Sequence, residues 1–160
     1  MNYAECKWEQ GQFDQAIADI SINKLRERAG IAPMTVAEID ANFDPERDPT
    51  VDPVLWEIRR ERMIELMGEG FGFDDVRSWE KAAWYINRQQ LGMWIQQSQV
   101  NESLWDENTH LPTRAKSEGY IYLWADPLVE GKGWLDKYYL YQVPTDEIVL
   151  NPALEQNPGY

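Results

Sequence analysis

Glu57-Ile58-Arg59-Arg60-Glu61-Arg62-Met63-Ile64-Glu65-Leu66-Met67-Gly68-Glu69-Gly70 is the stretch around which the rest of the chain is read. Laid on a helix at about 100° per residue, it places Leu55, Ile58, Met63 and Leu66 on one side, with Trp56 and Met67 at the margin. Glu57, Glu61 and Glu65 form a separate acidic stripe at i, i+4 spacing, which reads as a solvated face with Arg60 beside it. Arg59 and Arg62 fall inside the apolar sector. An arginine aimed at a core must find acceptors there, because an unpaired buried charge is costly. The helix therefore predicts partners from elsewhere in the chain, and the acidic residues just after it, Asp75 above all, are the nearest source.

The totals bound what surrounds this helix. A chain of 160 residues can bury a core in one domain. Its net charge of −13 opposes binding to nucleic acid or to anionic lipid. No apolar run approaches the roughly 18 residues that a membrane-spanning helix needs. The single cysteine, Cys6, forms no intrachain disulfide and supports no cysteine metal site. It also lacks the basic and apolar segment that would precede a lipoprotein cysteine. Eight Trp and eight Tyr are many for this length, and such rings both fill cores and bind flat or amphipathic ligands.

Residues 3–10 and 13–29 read as a helical hairpin turned at Gly11-Gln12, with Gly30 as its C-terminal glycine. The pair resembles one tetratricopeptide-type unit and carries no second copy. Thr35-Val36-Ala37-Glu38 has the form of a capping box opening a short helix to Asn42. Asp52 caps the central helix and Pro53 takes its first position. A further helix is expected over 73–86, where Val76, Trp79, Ala83 and Ile86 recur at helical spacing. Leu91–Ile95 reads as a short strand or helix, and Tyr120–Trp124 as a strand. Tyr138–Val143 is the best strand candidate, and Thr145 opens a turn of helix.

Three blocks resemble the SusD/RagB family. The central helix Ile58–Leu66, followed by Glu69-Gly70, Asp75 and Trp79, is similar to that family's signature helix pair. Tyr139-Leu140-Tyr141-Gln142-Val143-Pro144-Thr145-Asp146-Glu147-Ile148, then Asn151-Pro152 and Gln156-Asn157-Pro158-Gly159-Tyr160, resembles its C-terminal end. The opening hairpin, closing in Leu25-Arg26-Glu27-Arg28-Ala29-Gly30, resembles the segment that precedes both. Three positions depart from the family pattern: Gly72 and Ser78 stand where arginine is usual, and Gln142 where proline is usual.

The resemblance implies a mainly α fold: tetratricopeptide-type helix pairs, then a loop-rich region with minor β structure. The expected divisions are a helical part at 1–86, a variable loop-rich part at 87–137 and a family tail at 138–160. The N-terminal part of the usual family chain is expected to be missing, so the sequence reads as a C-terminal portion. The implied function is non-catalytic binding of a glycan or related nutrient at the outer-membrane surface. The implied partner is a SusC-like TonB-dependent transporter, and any lipid anchor would lie outside this chain. No cofactor is implied.

Each candidate site competes with a plainer reading. Asp74/Asp75 and the Glu61/Glu65/Glu69 series could serve as a glycosidase acid and nucleophile. That chemistry needs two carboxyls facing each other across the scissile bond, however, and neighbours on one helix do not supply that. Arg59 and Arg62 could clamp an anion; the plainer reading is structural, paired with Asp75 or with backbone carbonyls at helix ends. His110 is the only histidine, so no zinc site is expected. Gly68-Glu69-Gly70-Phe71-Gly72 lies between helices, which excludes a phosphate loop. Trp8, Trp56 and Trp79 read as core. Trp84, Trp94, Trp105, Trp124 and Trp134 lie in the variable stretch. Of these, Trp94, Trp105 and Trp124 are the ligand-binding candidates, since sugar rings stack their C–H faces on exposed indoles, with core packing an equal reading for each. The resemblance implies that the family's glycan platform is built largely from residues upstream of this segment. The competing function is a helical-repeat protein-interaction module with no sugar ligand. A carbohydrate-active enzyme is the remote third. A coplanar, solvent-facing Trp/Tyr pair flanked by Asn, Gln or Asp would favour the glycan reading, a continuous concave helical groove without such a platform the protein-interaction one, and two carboxyls facing across a cleft the enzyme.

Overall fold

A helix begins almost at the first residue: α1 spans Asn2–Glu9. Gly11, at φ 66°, makes the turn that an L-residue would resist. Asp14 then caps α2 (Gln15–Ile20) by accepting from Ile17 N at 2.9 Å. The single helix expected over 13–29 is in fact two, with α3 at Ile22–Ala29. The break is at Ser21, whose hydroxyl donates back to the Ile17 carbonyl at 2.5 Å while its backbone turns to φ −122°, ψ −89°. A serine that bonds locally to the backbone competes with the helical ladder. Gly30, left-handed at φ 70°, ends α3 as expected.

The computed structural model describes residues 1–88, 91–99, 118–122 and 133–160. They divide into two units, Met1–Gly72 and Phe73–Tyr160. The fold is mainly α, with one small two-stranded sheet among the described residues.

In the first unit the central helix is α4, Pro53–Glu65. The Asp52 carboxylate accepts from Val54 N and Leu55 N at 3.0 and 3.2 Å, as its position before Pro53 predicts. Beyond α4 the chain passes through Gly68 and Gly70, both at positive φ. The core gathers Ala4, Ala18, Ile22, Met34, Ile39 and Ile58 from α1, α2, α3, α4 and the segment between α3 and α4. The predicted capping box at Thr35 yields only a 3-10 turn, Val36–Glu38, and Thr35 makes no side-chain cap. Gln15 accepts from Val36 N instead, at 2.8 Å.

Asn23 fastens this segment to α3. Its carboxamide accepts from Met34 N at 2.6 Å and donates to Met34 O at 3.1 Å and to Asp19 at 2.7 Å. Gln15 also donates to Asp19, at 2.7 Å, so one carboxylate bridges α2 and α3 across the Ser21 break. The hydrogen bonds from Gln15 and then Asn23 hold the Asp19 carboxyl below its ordinary pKa. This stabilisation is complete above the unfolded-state pKa and is lost as pH falls through the lowered folded value. Asn23→Ala strands the buried Met34 N–H and should cost about 1–3 kcal/mol, read as a lower urea midpoint at unchanged slope.

The expected helix over 73–86 is split into α5 (Gly72–Ser78) and α6 (Ala82–Ile86). Glu80, at φ 55°, is the one non-glycine residue at positive φ among those described, and it makes the break. β1 (Leu91–Ile95) and β2 (Gly119–Tyr122) pair antiparallel, with Trp94 opposite Tyr120 and Ile95 opposite Gly119. An irregularity between Leu91 and Trp94 adds one residue to β1.

Tyr138–Val143 is not a strand. Asp136–Tyr139 is a 3-10 turn, and the chain then runs on outside any sheet. The Gln156 carboxamide takes the place of a partner strand, accepting from Val143 N at 2.8 Å and donating to Val143 O at 2.9 Å. Asn157 donates to Tyr141 O and the Tyr160 hydroxyl to Leu140 O, which folds the tail back on this segment. Between them, α7 spans Thr145–Leu150.

Candidate functional site

Two of the three carboxylates in the acidic stripe of α4 are not solvated. Glu57 and Glu61 are buried, and so is Arg26 of α3, which reaches them both. Arg26 Nη2 lies 2.5 Å from Glu57 Oε1 and 2.5 Å from Glu61 Oε1, and Nε donates to Glu61 at 3.0 Å. Arg60 closes on Glu57 from the other side at 2.6 Å, and that hydrogen bond raises the Arg60 pKa further. At the solvent edge Arg28 grips both oxygens of Glu65, at 2.6 and 2.7 Å. Every carboxylate here is met by guanidinium, so the cluster is a brace between α3 and α4, with no carboxyl poised to act on a substrate.

Arg59 Nε pairs with Glu5 of α1 at 3.2 Å, and Arg62 donates to the Asn2 side chain. Asp75 is buried in the first turn of α5, with Ser78 Oγ donating to its carbonyl oxygen at 2.9 Å. Arg26 is the residue that sequence reasoning missed. A usable signal existed: Ile22, Leu25 and Ala29 place the neighbouring Arg26 beside the apolar face of α3.

A second cluster lies within the second unit. Arg77 of α5 donates to Tyr139 O at 2.8 Å, and its guanidinium sits 4.1 Å from the centre of the Tyr141 ring. Trp134 packs edge-on against Phe73 and Tyr138, at 5.9 and 5.7 Å. Its backbone N–H donates to Asn87 at 2.6 Å. These contacts bind the tail to α5 and α6.

Of the aromatic ligand candidates, Trp105 and Trp124 lie outside the described residues, as does His110. Trp94 is described, and with Tyr120 it forms a solvent-facing pair, each residue 48% exposed. The ring centres are 4.9 Å apart and the planes meet at 83°. The pair is therefore a corner, not the coplanar arrangement set out above as the mark of a glycan site. Nearby, Gln97 accepts from Glu118 N at 3.4 Å. Among the described residues no group of three His, Cys, Asp or Glu side chains is placed to hold a metal. Among the same residues no helix is long and apolar enough to cross a membrane.

A family model described as the SusD family matches residues 1–160. The chain belongs to the SusD/RagB family. Among solved structures, it is similar to the protein BT4246, with 28% identity and a TM-score of 0.65, covering 98% of this chain and 22% of that one. A SusD-like protein, BF3747, from Bacteroides fragilis NCTC 9343 shares the fold at 24% identity and a TM-score of 0.60, covering 98% of this chain and 23% of that one. This SusD-family chain thus spans about a fifth of the length of the solved relatives it matches. No curated protein matches it.

Proposed function

We propose that this chain works as part of a longer SusD-type protein that captures a glycan or related nutrient without catalysis. It would do so at the outer-membrane surface and deliver the nutrient to a SusC-like TonB-dependent transporter. The observation that carries this reading is the family match over residues 1–160. The electrostatics agree with it: the buried carboxylates of α4 are held by arginines, and those of the Asp74/Asp75 pair sit in a helix first turn. Neither arrangement resembles two carboxyls facing across a sugar bond. The divisions at 1–86, 87–137 and 138–160, and the role of Arg59, Arg62 and Asp75 as a structural brace, belong to the same proposal.

Calorimetry of the full-length protein against a panel of oligosaccharides, with co-purification of its transporter, tests the reading. Binding to one glycan class with no release of product is the expected result. A protein that binds none of the panel, yet captures a peptide or protein, would favour the helical interaction module instead. That second reading has one observation behind it: Val149 and Leu150, at the end of α7, are 73% and 78% exposed, and exposed apolar side chains are what a partner would cover.

A further inference from the structure

The geometry points to the Trp94/Tyr120 corner as a seat for a single sugar ring at the end or branch point of a glycan, and not for the interior of a linear chain laid flat. The inference rests on the nutrient-binding reading above and deepens it.

Trp94 and Tyr120 are direct cross-strand partners, so their side chains rise from the same face of the two-stranded ribbon. Each is about half exposed, which leaves ring surface for a ligand after the contact between the rings is made. The C–H face of a pyranose stacks on an aromatic face. Two coplanar rings can hold successive units of an extended chain. Here the second ring stands at 83° to the first, with its centre 4.9 Å away. A sugar lying on one ring meets the other as a wall. That wall touches the edge of the same sugar and bars the next unit from continuing in that direction.

The extra residue in β1 just before Trp94 gives a reason for the angle, since a bulge increases local twist and re-aims the side chain beside it. Polar groups for the sugar hydroxyls are close in the chain: Gln97 is exposed, and its side-chain carbonyl oxygen accepts from Glu118 N, just before β2.

The test uses the full-length protein and neutral gluco-, xylo- and manno-oligosaccharides, each from disaccharide to hexasaccharide. Affinity for the preferred series should not grow with added internal units, and changing the terminal unit should weaken it. Trp94→Ala and Tyr120→Ala should each weaken binding roughly ten-fold, the order of one lost aromatic contact, at unchanged melting temperature. Trp94→Phe, which keeps a ring and guards against a folding artefact, should retain most of the affinity. Affinity that climbs with each internal unit, or Trp94→Ala and Tyr120→Ala variants that bind as tightly as wild type, would overturn the corner while leaving the nutrient-binding reading intact. A wild-type protein that binds no member of the panel overturns both.

Discussion

Arg26→Ala should destabilise the first unit by roughly 3–5 kcal/mol, the range for removing one partner of a buried ion pair. The reason is the two carboxylates left behind. Glu57 and Glu61 are buried on α4, and Arg26 is the cation that serves both, at 2.5 Å each. Arg60 still reaches Glu57, but it stands 3.6 Å from Glu61 and is itself 42% exposed. Glu61 would therefore lose its close partner while staying out of water. Arg26→Lys should recover only part of the loss, since one ammonium cannot reproduce a planar fork that meets two carboxylates and also reaches Ala32 O. Arg28→Ala is the control. Its pair with Glu65 is largely solvated on the arginine side, and exposed pairs contribute about 0–1 kcal/mol. Chemical denaturation of the three variants checks the order. Equal midpoints for Arg26→Ala and Arg28→Ala would mean that the buried brace adds nothing.

This network also marks where sequence reading stops. The start and end of α4 were legible because their causes are local: Asp52 and Pro53 open the helix, and Gly68 and Gly70 lie just past it. The mainly α character was legible for the same reason. Glu57, Glu61 and Glu65 look like a solvated stripe on α4 alone, and only the placement of α3 against them makes two of them buried. No pattern within α4 carries that information. Tyr138–Val143 has the composition of a strand, but strand formation needs a partner. A glutamine side chain far along the tail, Gln156, supplies those bonds instead. Ser21 and Glu80 each split an expected helix, and both splits depend on backbone conformations that apolar periodicity does not register. The candidate site was half legible. Trp94 could be singled out by residue type, but the angle it makes with Tyr120 is set by cross-strand register and a bulge.

Ile58→Ala should cost about 2–5 kcal/mol, toward the upper part of the range measured for such truncations. Ile58 is fully buried, and two of its cluster neighbours, Ala4 and Ala18, have almost no side chain to move into the space left behind. Ile22 and Met34 are the flexible neighbours, and both are already fully buried. Met34 is held further, since its backbone N–H and carbonyl are both bonded to Asn23. The cavity should therefore stay largely open, and the cost should include both lost transfer energy and lost packing. Ile58→Val removes one methylene and should cost about 0.5–1.5 kcal/mol. The two substitutions separate packing from charge, because the Arg26 brace uses other residues of the same helix. If Ile58→Ala fell no further than Ile58→Val in a denaturant titration, the core would be able to collapse around the site, and Ile58 would not be the packing centre its burial indicates.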